Sequence, residues 1–495
     1  MESYFSYLPA YAVGVSLLAV PFILASSRTP NLREFWTLAA ALIKFAVVVS
    51  LLPDALEGKV AEVRLLSIAS GIDLALRADP FGVFFAIIAS GLWIFTSIYS
   101  IGYVRGLGEK HQTRYFASFA VCLSATIGVA FAANLLTFVL FYEILTIATY
   151  PLVIHKETPE AVSGGRKYLA YTLSAGVLLI AATGWTYYAA GSLDFKAGGL
   201  LQGIEIDSST TRWLFVLFLA GVGVKAAIMP LHSWLPTAMV APTPVSALLH
   251  AVAVVKSGVF SVVRVVGFVF GPALLHENGL QTLGLVLSSV TIIVASLLAF
   301  GEDNLKRRLA YSTVGHLSYV VLGAFLLSPT ALTGSLMHIA SHASMKITLF
   351  FCAGAIYVNL HKQNVSELDG IGKTMPWTMT AFTIASIGLA GIPPVNGFVS
   401  KLYLGMGAIE SHEYTALAVL VTSGLLNAGY FFPIVYRAFF REGEAGHGEA
   451  SPLMVVPLTV TAFLSILLGL APNAWFHFYE LAMKITASVF HGGTP

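Results

Sequence analysis

Six ionisable side chains stand within segments that otherwise read as hydrocarbon: Lys44, Glu143, Lys225, Lys256, Lys346 and Lys401. Glu143 lies near the middle of "LLTFVLFYEILTIATYPLVIH" (135–155), with apolar turns on either side. Histidines join the set. His250 precedes Lys256 by six residues, His316 sits in "STVGHLSYVVLG", and "HIASHASMKITLF" places His338, His342 and Lys346 four residues apart. On a helix that spacing lines three titratable groups along one face, each about 6 Å from the next along the axis.

A charge at the bilayer centre costs at least ~2.5–3.5 kcal/mol, so six left dry and unpaired would cost on the order of 15–20 kcal/mol. Such groups must face one another or water inside a bundle, and function is their default reading. Desolvation favours a lysine's neutral amine and so makes proton exchange accessible, whereas a neighbouring carboxylate holds the lysine charged. Glu143 is therefore expected to modulate Lys225. Protons would then pass along His250, Lys256, His342, Lys346 and Lys401, with His316 and His338 beside them. A static Glu–Lys pair is the simpler reading of two such residues, since buried pairs often add nothing to stability. A row of this length is not accounted for that way. Lys44 fits no place in the row; it either snorkels or faces a partner subunit.

The elements that position these groups follow from composition. Of 495 residues, 57% are hydrophobic and 11% charged, and the mean hydropathy is +0.81. That describes a polytopic membrane protein and excludes a soluble domain of this size. A span needs about 20 mostly apolar residues. Fourteen segments qualify, at 8–26, 34–53, 79–103, 115–131, 134–154, 167–191, 212–230, 243–269, 279–300, 308–327, 331–358, 376–408, 415–440 and 453–479. Of the 27 basic residues, fifteen fall in odd-numbered loops and seven on the even side, which puts both termini on the non-cytoplasmic face. The N-terminus has no basic region ahead of its first apolar run and reads as a retained span. Cys122 and Cys352 both lie in spans, so no disulfide framework or cysteine metal site is indicated. A net charge of +2 gives no reason to expect nucleic acid. The 2–3 loop, "SIASGIDLALRADPFG", alternates weakly enough to form a small hairpin, and the glycine-rich 13–14 loop, "REGEAGHGEASP", is expected to be mobile.

Two spans are broken. Span 7 runs from Lys225 into Pro230, Pro236, Pro242 and Pro244; span 12 has Gly391, Pro393 and Pro394 ahead of Lys401. Proline removes a helical hydrogen bond, and at membrane depth a break survives only where protein or water resatisfies the backbone. Spans five apart cross in opposite senses, as an inverted repeat of spans 4–8 and 9–13 requires. The expected fold is an all-α polytopic membrane protein: about fourteen transmembrane helices, two inverted five-helix repeats, and broken helices 7 and 12. Its divisions are 1–110 (peripheral helices 1–3), 111–270 and 271–441 (the repeats), and 442–495 (helix 14).

The stretch "MPLHSWLPTAMVAPTPVSALLHAVAVVKSGVF" (229–260) resembles the signature of the antiporter-like subunits of respiratory complex I, Mrp-type cation/proton antiporters and membrane-bound hydrogenases. The resemblance covers roughly residues 79–440. It implies fourteen helices in two inverted five-helix units, and proton translocation, in some members exchanged for sodium. It also implies that Glu143 and Lys225 form the coupling pair, Lys256 is the central lysine of span 8, and Lys401 the terminal charged group of span 12. "HIASHASMK" is similar to the span 11 His/Lys row of the longest complex I subunit and its Mrp counterparts. The chain stops soon after span 14, without that subunit's lateral helix, and has Lys at 401 where some members have Glu. Both features lean toward a D-type Mrp subunit or a hydrogenase or complex I-like relative. The implied partners are other integral membrane subunits in a bacterial or archaeal cell membrane. No redox, hydrolytic or cofactor motif appears in this chain; any such chemistry would belong to companions in a redox-driven translocase.

Two other classes compete. A stand-alone transporter of a small solute or bicarbonate would suit the broken helices, but no intramembrane arginine or aromatic cluster suggests an anion pocket. A haem protein would need histidines converging from separate positions, whereas His338 and His342 share one face of one helix.

Overall fold

The computed structural model describes residues 2–69, 72–443 and 448–491; of His250 it describes the backbone only. The hairpin tip at 70–71 and residues 444–447 of the 13–14 loop therefore lie outside the described residues. Helices occupy all fourteen expected segments. Ten are long and apolar enough to cross a membrane individually, and the four that are not are spans 7, 8, 10 and 12. Those four are broken, irregular or charged, and they carry Lys225, Lys256, His316 and Lys401.

Caps mark where the helices begin. Asn134 accepts from the Thr137 amide at the start of span 5 (Leu135–Val153), and Asn304 accepts from the Arg307 amide at the start of span 10 (Leu305–Phe325). Thr158 and Ser328 cap spans 6 (Pro159–Ala190) and 11 (Pro329–Leu360), both 32 residues long with proline first. The ends are tied alike. Leu135 N donates to Leu193 O and Leu305 N to Gln363 O, each at 2.9 Å, while Phe195 N donates to Ala133 O and Val365 N to Asp303 O. Every such pair of equivalents is 170 residues apart in the chain.

The helical architecture carries one small sheet, ordered β1 (Glu2–Phe5), β2 (Lys59–Ala69), β3 (Ile72–Ala78). The antiparallel β2–β3 pair is the hairpin expected from alternation. β1 pairs parallel to β2, which sequence alternation did not suggest. Spans 1 (Leu8–Ala25) and 2 (Pro30–Ser50) supply the crossover that a parallel pair requires, carrying the chain out and back between the two strands. Span 3 (Pro80–Gly106) is not peripheral in its packing: 78% of its apolar window is buried, and Tyr99 stacks on Phe351 of span 11 at 4.1 Å.

Two boundaries differ from expectation. Span 8 is helical over Val254–Arg264 but flanked by π-turns at Leu248–Val252 and Val265–Phe270. Span 14 ends at Leu470, ahead of Pro472, and a separate helix follows over Phe478–His491. Arg264 lies within span 8, inside the bounds expected for it, and is 2% exposed. Its guanidinium grips Asp79, the cap of span 3, through two bonds of 2.5 and 2.7 Å, with Phe81, Phe260 and Phe268 within 5.1 Å. Breaking such a pair strands a buried charge. Arg264→Ala is expected to cost about 3–5 kcal/mol in denaturant unfolding of the purified protein. Arg64→Ala, which removes an exposed partner of Asp73, is expected to cost no more than about 1 kcal/mol.

Candidate functional site

The helix breaks set the geometry. Span 7 is helical from Ser208 to Lys225, so Lys225 is its last residue before the break. Beyond it come the cis Met229–Pro230 bond, a short helix over Trp234–Thr237 that includes Pro236, and the link to span 8. At the break the Val224 carbonyl accepts from the Ala227 amide at 3.1 Å and from Trp234 Nε1 at 2.8 Å, so protein groups satisfy the backbone there. Span 12 is two helices, Pro376–Ala390 and Asn396–Glu410, joined through Gly391 and the cis Pro393–Pro394 bond. Gly391 has φ +89°, and a Cβ there would lie 2.7 Å from Lys401 Cδ. The positive φ is what favours glycine here, while the close approach also lets the Lys401 stem lie against the break.

Around Lys225, which is fully buried, the ammonium donates to the Tyr142 carbonyl at 2.5 Å and lies 3.4 Å from the centre of the Tyr142 ring. The expected direct pair with Glu143 is not formed. Among the described residues no Glu143 oxygen comes within 4.0 Å of Lys225 Nζ, and Glu143 Oε1 is buried without a hydrogen-bond partner. The Glu143 carboxyl instead fills space left by Gly176 of span 6, where a Cβ would sit 2.5 Å from it.

A second, larger group is made of two hydrogen-bonded sets, which meet where the His316 ring lies 5.1 Å from the Tyr319 ring and Tyr319 Oη accepts from Asn427 Nδ2 at 3.5 Å. Lys256 Nζ lies 2.8 Å from His342 Nδ1. His342 and His316 have ring centroids 5.5 Å apart, His316 Nδ1 is 3.2 Å from His338 Nε2, and His338 Nδ1 is 2.8 Å from Ser400 Oγ. Lys346 donates to Ser312 Oγ at 2.7 Å and to the Leu309 carbonyl at 3.2 Å. Tyr430 links Ser312 to Asn427, and Asn427 donates to the Leu389 carbonyl at 3.3 Å. That carbonyl, freed by the span 12 break, also takes the Lys401 ammonium at 2.6 Å. The structure thus brings together Lys256, His316, His338, His342, Lys346 and Lys401. It joins Glu143 and Lys225 only as neighbours through Tyr142, and no described hydrogen bond crosses from Lys225 to Lys256, where Gly258 of span 8 packs on the Lys225 backbone. His250 falls in the π-turn, its side chain outside the described residues.

Chemically, the amines, imidazoles and hydroxyls gathered here are groups able to accept and hand on protons. Lysine has donors only, so a charged Lys256 needs His342 Nδ1 as an unprotonated acceptor. Between His316 and His338 a hydrogen bond needs one N–H and one lone pair, assigned here by geometry. His342 Nε2 and His316 Nε2 are buried without partners, each able to give or take one further bond.

Lys44 does not snorkel and does not face a partner: it is 0% exposed, has no hydrogen-bond partner, and its ammonium lies 5.8 Å from the Trp93 ring. The reasoning from sequence missed Tyr142, Gly176, Ser312, Tyr319, Ser400, Asn427 and Tyr430, all unremarkable as letters in an apolar run. It also missed His155, just beyond span 5. His155 is 3% exposed, both ring nitrogens lack hydrogen-bond partners, and Nε2 is 3.9 Å from the Glu109 carboxylate. Burial, with Arg114 beside it, pushes its pKa down to about 4. A depressed histidine pKa means the folded state binds fewer protons, so stability is lost as pH falls from about 6.5 through 4. That loss is on the order of 3 kcal/mol for the single group, and His155→Gln is expected to flatten it in unfolding curves measured across this range.

The NADH:quinone oxidoreductase/Mrp antiporter transmembrane family matches over residues 132–427. "NADH-quinone oxidoreductase subunit N" of Desulforudis audaxviator is 33% identical over 372 residues, covering 75% of this chain and 73% of that protein. The D component of the Na(+)/H(+) antiporter of Alkalihalophilus pseudofirmus is 27% identical, covering 93% and 94%. In fold, the chain is similar to one in the Mrp complex from Dietzia sp. DQ12-45-1b, with TM-score 0.88, 21% identity and coverage of 98% and 97%. The chain belongs to the NADH:quinone oxidoreductase/Mrp antiporter transmembrane family.

Proposed function

We propose that the chain is the proton-translocating subunit of a larger complex of integral membrane subunits, in a bacterial or archaeal cell membrane. The observation that carries this reading is the burial side by side of two hydrogen-bonded sets, Lys256–His342 with His316–His338–Ser400, and Lys346–Ser312–Tyr430. Their amines, imidazoles and hydroxyls can bind, release or pass a proton, with water proposed to complete the steps between them and to Lys401. The Glu143–Lys225 site is its control point. While Glu143 lies apart, Lys225 rests on a neutral carbonyl and ring; when Glu143 approaches, the ammonium form is favoured. Water crosses the interval between Lys225 and Lys256, and His250 is proposed to share in that step.

The helical segments are then fourteen crossings with both termini on the non-cytoplasmic face, as the distribution of Lys and Arg supports. Residues 111–270 and 271–441 are inverted five-helix units, between the leading segment 1–110 and the trailing 442–495; the caps and tie-offs that recur 170 residues apart support the repeat. Sodium, named in the antiporter relative, is the counter-ion of an exchange, and companion subunits supply the driving force.

Glu143→Gln and Lys225→Ala are expected to assemble with their companions yet lower proton uptake into sealed vesicles at least tenfold, about 1.4 kcal/mol of barrier. Normal uptake by both variants would end the proposal. Gly176→Ala, which invades the space held by Glu143, is expected to lower uptake as well. Gly184→Ala on the same helix, where an added Cβ meets open space, is expected to leave the rate unchanged.

A further inference from the structure

On the face that carries most of the basic loops, a cavity of about 120 Å³ opens where the two halves meet. Its walls include Lys156 just beyond span 5, Lys306 in the first turn of span 10, and Lys362 just beyond span 11, together with Tyr103, Thr243 and Tyr357. Three lysines from three separate segments line it, and among the described residues no carboxylate does. Two of them are held in place. Lys306 donates one proton to the Ala241 carbonyl at 2.6 Å, in the link between spans 7 and 8, and Lys156 lies 5.6 Å from the centre of the Tyr357 ring.

We infer that this cavity binds the phosphate of an anionic lipid headgroup, gripped by Lys156, Lys306 and Lys362. Like charges brought together repel, and a bound anion turns that cost into attraction. Lysine offers three donors, so each of the three retains protons for phosphate oxygens even after Lys306 has served Ala241. The Tyr103 and Tyr357 phenols add neutral donors, Tyr103 Oη itself accepting from Thr243 Oγ1 at 3.4 Å. Span 10, 21 residues long, begins at this cavity with Asn304 and Leu305 in the wall, so its N-terminal dipole adds in the same sense. A basic pocket among helix ends on the positive face lies at headgroup depth, where anionic lipid is concentrated; that favours a lipid over free phosphate as the source. Ala353 in the cavity wall is seven residues from Lys346 on span 11, about 10 Å along the axis. A phosphate here would therefore place negative charge at the mouth of the proposed proton row. That consequence rests on the proposed function, whereas the binding itself does not.

Native mass spectrometry of the full chain, released from nanodiscs containing phosphatidylglycerol and phosphatidylcholine, tests the inference. Wild type is expected to retain one phosphatidylglycerol under conditions that strip phosphatidylcholine. The Lys156→Gln/Lys306→Gln/Lys362→Gln variant is expected to lose this at least tenfold, while Lys59→Gln on the opposite face loses nothing. Lys306→Arg keeps the charge and is expected to keep the lipid, which separates loss of the anion grip from misfolding. Excess inorganic phosphate that displaces phosphatidylglycerol from wild type, and stabilises wild type but not the triple variant without lipid, would assign the site to free phosphate and overturn the lipid source. Equal retention of phosphatidylglycerol by wild type and the triple variant would overturn the site.

Discussion

Each lysine of the buried row rests on a neutral acceptor instead of a carboxylate. Lys225 is held by the Tyr142 carbonyl, Lys256 by an imidazole nitrogen, Lys346 by Ser312 and the Leu309 carbonyl, and Lys401 by the Leu389 carbonyl. The rest of the architecture follows from that choice. A carboxylate in direct contact would fix the charge at a cost of several kcal/mol to undo. A carbonyl or hydroxyl satisfies the donor and leaves the proton free to move on. Helical carbonyls are normally occupied, and those of Tyr142 and Leu309 are shared with a threonine hydroxyl of their own helix, whereas a helix break leaves one open. The break at Gly391 does this for Leu389, whose oxygen serves both Lys401 and Asn427.

The contrast with Arg264 shows that the same chain also builds the opposite kind of pair. Arg264 and Asp79 form a full bidentate ion pair inside a ring of phenylalanines. Guanidinium is always charged, so this pair cannot relay protons. It pins the end of span 8 to the start of span 3, beside the small sheet, and so fixes the helix that presents Lys256. Rigid charge at the periphery and exchangeable charge along the axis are distinct uses of burial.

The large outlines were legible because each has a periodic or categorical signal. Apolar runs located the helices, Pro393 and Pro394 located a break, and ionisable letters in hydrocarbon located the row. What stayed hidden had no such signal. Ser312, Ser400 and Asn427 are ordinary polar residues whose importance appears only when span 10 is set against spans 12 and 13. Gly176 reads as one small residue among many until Glu143 is seen to occupy the space above it. Arg264 falls inside the expected span 8, but no signal in the letters pointed to its partner Asp79, 185 residues away in the chain. The π-turns flanking span 8 arise from packing, with no proline to announce them. Lys44, buried against Trp93, lies outside the row, and nothing in the structure explains it.

The Lys256–His342 contact is where the account is most exposed. Proton uptake by the assembled complex in sealed vesicles, measured for Lys256→Ala, His342→Ala and the double variant, tests it most directly. Groups acting in series predict that each single change lowers uptake at least tenfold and that the double is no slower than the worse single. Wild-type uptake by Lys256→Ala, or effects that multiply in the double variant, would contradict a relay through this pair.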